Sequence, residues 1–317
     1  MDIDVYPPRE LGTVLRVLRS ALNPDEALNP QERRFLQAYA AISGYPQPST
    51  DPQPIAASEV AIEGAHQRKR LVQLGGLAVL LGNPVRPLSV AFLTELAAHL
   101  GVNDSVVQVT QALAQGRRLR ARMIAVRRAF RVMLKEAYTA EGTLGVLRFL
   151  GAMFLKFTVN RDRHWDFKRL GLLPQGTLGR EYWAHITQLG FGFPGEPGGI
   201  PDSVVYHDIC HVLADHSTEP EGEIQQGSFQ AGNRREDGFF FVQFVVLQFH
   251  HGIRITPVAP PHVGNFDPAK VLWAIHRGAR CNVDMTHQWD FWPLMGLPLE
   301  EARERCGLLP RTPDWAL

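Results

Sequence analysis

Cysteine is scarce: Cys210, Cys281 and Cys306 are the only three in 317 residues. An odd, scattered set offers no disulfide framework and no Cys-x-x-Cys metal site, so a reducing compartment is expected. Charge of one sign is missing too. Lys and Arg number 33 against 32 Asp and Glu, and a formal net charge of +1 singles out no partner. No apolar run approaches the roughly 20 residues needed to span a bilayer. The opening Met-Asp-Ile-Asp-Val-Tyr-Pro-Pro is neither a signal peptide nor an Arg-rich transit peptide. The expected location is the cytoplasm, with at most peripheral contact at the inner face of a membrane. No Gly-x-Gly-x-x-Gly follows a strand signal, so no flavin or nicotinamide fingerprint is present. Strand signals are weak throughout, which leaves an all-α (mainly helical) class.

Helical signals are abundant. Leu11, Leu15, Leu18 and Leu22 repeat at helical spacing, and Asn29-Pro30 reads as an N-cap with Pro in the first turn. Residues 44 to 54 hold four prolines and read as a linker or long loop. Helical patterns resume over 58 to 81; Pro87 opens another helix that ends at Gly101, and Asn103-Asp104 caps the next. The very apolar residues 143 to 158 and 239 to 251 read as buried helices, the first also as a candidate lining for a lipid pocket. A Gly- and Pro-rich stretch at 191 to 201 should be irregular, and short helices are expected at Pro268 to Gly278 and Leu299 to Cys306. The expected division is a helical amino-terminal domain over 1 to 135 and a helical metal-binding domain over 136 to 317.

Residues 117 to 135 hold seven Arg and one Lys with no acid. Their apolar positions, Leu119, Met123, Val126, Phe130, Met133 and Ala137, follow a 3-4 period that reads as the core side of a long helix. Two readings of the basic side stand together: contact with anionic lipid, or a solvated face paired with acids elsewhere. Nucleic acid is not expected, because no aromatic platform accompanies the charge.

The chemistry concentrates between residues 207 and 223. His207 and His211 are four apart and share a helix face. Asp208 flanks them, and Glu223 follows eleven residues after His211, past a Pro-Glu-Gly break that lets a second helix return. Imidazole nitrogen with carboxylate oxygen suits a divalent metal: zinc, with iron or manganese as alternatives. His207, Asp208, His211 and Glu223 are the candidate ligands. Asp208 and Glu223 are also the candidate acid-base pair, since a carboxylate not bound to metal can move a proton. The plain alternative is a polar helix face. Cys210 should point away from the histidines and pack in the core.

Other polar groups carry a functional and a structural reading each. Asp215 and His216 extend the motif helix, as orienting groups or as a solvated helix end. His250-His251 ends an apolar helix, as pocket lining or as its cap. Asp284, His287 and Asp290 share a spacing of three, as a second polar cluster or, beside Trp289, Phe291 and Trp292, as packed surface. Arg180, Arg234 and Arg235 suit bidentate anion contacts or ordinary ion pairs.

His207-Asp208-x-x-His211 followed by eleven residues and Glu223 resembles the signature of the zinc-binding coenzyme Q (ubiquinone) biosynthesis protein 4 family. Leu173-Pro-Gln-Gly-Thr-Leu-Gly-Arg-Glu-Tyr182 is similar to the family's Leu-Pro-x-Gly-Thr-x-Gly-x-x-Tyr segment. The tail, from Val271-Leu-Trp-Ala-Ile-His-Arg-Gly278 through Trp289-Asp290 to Leu297-Pro-Leu-Glu-Glu-Ala-Arg303, resembles its closing helices. Coverage runs over about residues 140 to 310. The resemblance implies a helical fold, a metal held by the four residues named, an apolar pocket for an isoprenoid tail, and either work on the ring carboxyl of a polyprenylated aromatic acid or a scaffold role in a quinone-biosynthesis complex at a membrane. The family's Arg-rich stretch before the His-Asp pair is replaced by Gly199-Ile-Pro-Asp-Ser-Val-Val-Tyr206. Residues 30 to 115 look weakly like a TerB-type helical domain, whose metal-binding acids are here Gly82-Asn83.

Three functions are thus expected in order: a metal-dependent oxidative decarboxylase, a non-catalytic lipid-binding scaffold with a structural metal, and a metal-dependent hydrolase. The last lacks the separate upstream His and downstream Asp usual for that chemistry. The partners implied are a hydrophobic prenylated small molecule, a membrane surface, and a homo-dimer or biosynthetic complex.

Overall fold

The structure is a computed structural model, and it describes residues 1–46, 51–155, 161–196, 205–256 and 259–311. Among these the fold is helical, and no strand forms beyond two isolated bridges, Thr177 with Pro298 and His251 with Val263. The helices are α1 (Pro8–Leu22), α2 (Pro30–Ile42), α3 (Ala65–Leu81), α4 (Pro87–His99), α5 (Ser105–Ala114), α6 (Arg118–Leu155), α7 (Arg161–Arg169), α8 (Leu178–Gln188), α9 (Val205–Ala214), α10 (Pro220–Asn233), α11 (Phe239–Phe249), α12 (Pro268–Arg280) and α13 (Leu299–Arg305). No described helix is long and apolar enough to cross a membrane.

The chain divides into two compact units, and neither is continuous in sequence. One comprises Met1–Ala129 and Glu219–Ala279; the other comprises Phe130–Thr218 and Arg280–Arg311. Residues 219–279 group with the amino-terminal segment. The cause is α11. Nearly every side chain on it is buried, and a helix apolar all round needs a complete coat. That coat is the core shared by α1 to α5.

In the first unit the caps form as expected. Asn29 Oδ1 accepts from the Glu32 amide at 3.0 Å, and Glu32 Oε2 accepts from the Asn29 amide at 2.8 Å, a capping box. The other carboxylate oxygen of Glu32 pairs with Arg86. Asp104 Oδ1 caps α5 through the Val106 amide at 3.0 Å, while its Oδ2 accepts from Gln73 at 2.8 Å. α3 is buried along Leu71–Leu81 and forms the axis of the core. α10 and α12 cross with backbones touching: a Cβ at Gly278 would lie 2.0 Å from the Phe229 carbonyl oxygen, and one at Gly232 would lie 1.9 Å from that of Ile275. Only glycine fits either position.

The apolar period of α6 is real, but its direction is the reverse of the expectation. Leu119, Met123 and Val126 are exposed, whereas Ala121, Ala125 and Ala129 are buried. At the start of the helix the small residues and Ile124 pack inward while Leu119, Met123 and Val126 are turned outward; Phe130 and Met133 are half-buried. Side chains over most of 143–155 fall outside the description, as do residues 156–158 of the apolar segment, 47–50 of the linker and 197–201 of the Gly-Pro stretch.

The second unit is organised around aromatic packing and one arginine. Phe167 packs against Trp292 and Tyr182, with ring centroids 5.0 and 6.0 Å apart. Leu178 N–H donates to Leu297 O, Gly179 N–H to Met295 O and Leu299 N–H to Gly176 O, at 2.8–2.9 Å. The Leu-Pro-Gln-Gly-Thr loop and the Leu-Pro-Leu-Glu-Glu segment, far apart in sequence, are therefore laced together. Arg303 donates to Leu213 O at 2.8 Å and Val212 O at 3.2 Å. It satisfies carbonyls at the end of α9 that no helical amide reaches, and it sets a cation at the negative end of the helix.

Candidate metal centre

α9 has a clear inner side. Val205, Ile209, Cys210 and Leu213 are fully buried. Cys210 Sγ lies 3.6 Å from Met285 Sδ, and burial pushes its thiol pKa up. It is core packing, as its position on the helix implied, and no ligand. That anchoring fixes the rotation of α9 and hence where His207 and His211 project.

The two histidines converge tip to tip, their Nε2 atoms 3.2 Å apart. What orients His211 is the end of its own helix. Asp215 takes a positive φ of 55°, which turns the chain back. His216 N–H then donates to His211 O at 3.1 Å, and His211 Nδ1 sits 3.0 Å from His216 O. A carbonyl only accepts, so Nδ1 carries the proton. In the neutral ring Nε2 is then the acceptor nitrogen. A carbonyl fixing the far nitrogen in this way is the usual support for a metal-binding imidazole.

Glu223 completes the group. Pro220 occupies the first turn of α10, where its missing amide hydrogen costs nothing. Glu223 lies in the opening turns, where the helix dipole favours a carboxylate. Ligand atoms of His207, His211 and Glu223 all lie within 4.8 Å of one another. The donor set fits a divalent cation. Two nitrogens at about 2.0–2.1 Å from a tetrahedral zinc stand roughly 3.3 Å apart, close to the spacing found. Asp208, on the same helix, is buried and lies outside that group of three.

In comparisons with known proteins, the chain matches no family model and no curated protein.

One residue of the centre escaped the sequence reading. His185 on α8 stacks on His211, with ring centroids 5.8 Å apart and planes 22° from parallel. The available signal was its place one turn after Tyr182, on the helix that the Leu-Pro-Gln-Gly-Thr loop feeds.

The remaining candidates take structural roles. Asp215 is a solvated helix end, paired with Arg311 at 2.7 Å. His250 and His251 are buried and bond the Leu81 and Leu80 carbonyls at 3.0 and 2.9 Å. Burial lowers the pKa of both, that of His251 to about 4. They join the end of α11 to the end of α3. Arg180 bonds Gly171 O and stacks on Trp183, and Arg234 bonds Glu236 O and lies over Phe240. Arg235 bonds Ala279 O. Asp284, His287 and Asp290 are not on a helix, so their spacing of three has no helical meaning. They line an open cleft of about 540 Å³ with Trp289, Leu294 and Arg305. Asp284 is engaged there with the amide and hydroxyl of Thr286.

Proposed function

We propose that the chain binds one divalent cation through His207, His211 and Glu223 and acts on a hydrophobic, prenylated aromatic acid, removing the ring carboxyl oxidatively. The observation that supports the metal reading is the approach of His211 Nε2 to His207 Nε2 at 3.2 Å, with a Glu223 carboxylate oxygen within 4.8 Å, while the His216 carbonyl lies 3.0 Å from His211 Nδ1. The substrate class rests on the likeness of the three segments to the coenzyme Q biosynthesis protein 4 family. Two of those segments are hydrogen-bonded to each other.

A bound cation would supply charge stabilisation for a carboxylate or phenolate as carbon dioxide leaves. Replacing the carboxyl with hydroxyl is a two-electron oxidation: with water as the source of the new oxygen, dioxygen would take up the electron pair and two protons and leave as hydrogen peroxide; iron or manganese would suit such electron transfer, whereas zinc is redox-inert. The protein's own part is positioning. His216 holds the His211 ring, His185 braces its face, and Arg303 holds the helix end. Asp208 is placed one residue from His207 to orient donors or to take a proton.

Glu223→Gln is the test. With folding checked by circular dichroism, metal content and release of carbon dioxide from a short-chain prenylated hydroxybenzoic acid are measured together. The proposal expects at least a tenfold loss of metal affinity and loss of turnover. Unchanged turnover removes Glu223 from the chemistry. A metal-loaded wild-type protein that leaves the acid intact with every metal supplied favours the non-catalytic scaffold instead.

A further inference from the structure

The outer face of α6 is apolar where a solvated helix should be polar. At 100° per residue, Leu119, Met123 and Val126 fall within about 60° of one another. They are 75%, 52% and 36% exposed. A second side about 120° round the helix, Ala121, Ala125 and Ala129, is buried. Arginines border the exposed stripe on both flanks, Arg120 and Arg127 on one and Arg122 on the other, and all three are exposed. Arg128 differs: it turns inward and pairs with Asp104 and Asp237 at 2.7 and 2.5 Å. Arg120, Arg122 and Arg127 make no ion pair among the described residues. No acid lies anywhere between 117 and 135.

We propose that this face of α6 docks on an anionic lipid surface, with Leu119, Met123 and Val126 in the headgroup boundary and Arg120, Arg122 and Arg127 against lipid phosphates. The charge selects the occupant. A second copy packing the same stripe about a two-fold axis would set one arginine border against another, like charge on like charge. A lipid surface accepts both parts at once. The stripe is shallow, three side chains over two turns, and the long arginine stems splay from its edges to the phosphates. The stripe lies outside the segment that carries the family likeness, and the inference does not depend on the metal reading.

The full-length protein is sedimented with phosphatidylcholine vesicles, with and without phosphatidylglycerol, across a salt series. Binding is expected to require phosphatidylglycerol and to weaken with salt. Each arginine near such a surface strengthens binding about fivefold. Arg120→Glu with Arg127→Glu should therefore weaken it by more than about 25-fold. Leu119→Ser, Met123→Ser and Val126→Ser together should weaken it at unchanged charge. All five positions are exposed, so thermal unfolding of the variants should match wild type. Equal binding to neutral vesicles, no binding to either, or indifference to both variants overturns the proposal. So does a stripe variant that alters self-association in sedimentation velocity and leaves vesicle binding unchanged, which identifies a second copy as the occupant.

Discussion

Gly278→Ala tests how the first unit is held together, because two effects of opposite sign meet at that position. Alanine is the better helix former, by about 0.5–1 kcal/mol in a helix interior. Read from helix propensity alone, the change stabilises. The structure sets against this a Cβ 2.0 Å from the Phe229 carbonyl oxygen and 2.7 Å from the Asn233 amide nitrogen. Both obstacles are backbone, so no rotamer change relieves them, and α12 must withdraw from α10 by about 1.4 Å to restore an ordinary contact. Overpacking of this kind costs about 1–3 kcal/mol, occasionally more. The withdrawal also strains the 3.4 Å bond from Asn233 to the Gly278 carbonyl. The net expectation is a loss of about 2 kcal/mol. Gly12→Ala in α1 is the control, since its Cβ would meet only the Tyr45 hydroxyl at an ordinary 3.5 Å. It should stabilise by about 0.5 kcal/mol. Urea titration, with midpoint and slope compared across wild type and both variants, reads the difference. The reasoning fails if Gly278→Ala moves the midpoint in the same direction as Gly12→Ala.

Stability should fall with acid through His251. Its pKa in the folded chain is lowered by burial from the ordinary 6.5 to about 4, so the unfolded chain takes up a proton first as pH drops. The contribution is fully present above pH 6.5 and is lost as pH falls toward 4, by about 3 kcal/mol at 1.4 kcal/mol per pKa unit. His250 adds in the same direction. Urea midpoints between pH 7 and 4.5 should show the slope, and His251→Gln should flatten it. Arg128→Met should cost about 3 kcal/mol, because it strands the buried Asp104 carboxylate without its cation. A urea midpoint within error of wild type would show that Gln73 and the Val106 amide satisfy Asp104 alone.

Where sequence and structure agree, the signal was local chemistry. Asn29 with Glu32 and Asp104 before α5 are caps, and a cap is a statement about neighbouring residues. His207 and His211 share a helix face because they are four apart, and the His216 carbonyl then turns the His211 ring toward His207. Where the two part, the missing quantity was direction. The period through Leu119, Met123 and Val126 shows that α6 has two faces; which one turns inward depended on Ala121, Ala125 and Ala129 fitting a narrow gap. The same limit hid the return of 219–279 to the first core, since nothing local in Phe239–Phe249 says which partners bury it. His185 reaches His211 through tertiary contact alone. Asp284, His287 and Asp290 kept helical spacing in a loop, where spacing carries no geometry.

The central claim is that His207, His211 and Glu223 hold a metal. Elemental analysis of the purified full-length protein, after incubation with zinc, iron or manganese and gel filtration, tests it most directly. The account predicts about one equivalent of a divalent metal, and its loss in a folded His207→Ala/His211→Ala variant. Folded wild-type protein with no retained metal from any of the three, or a double variant that retains its equivalent, would contradict it.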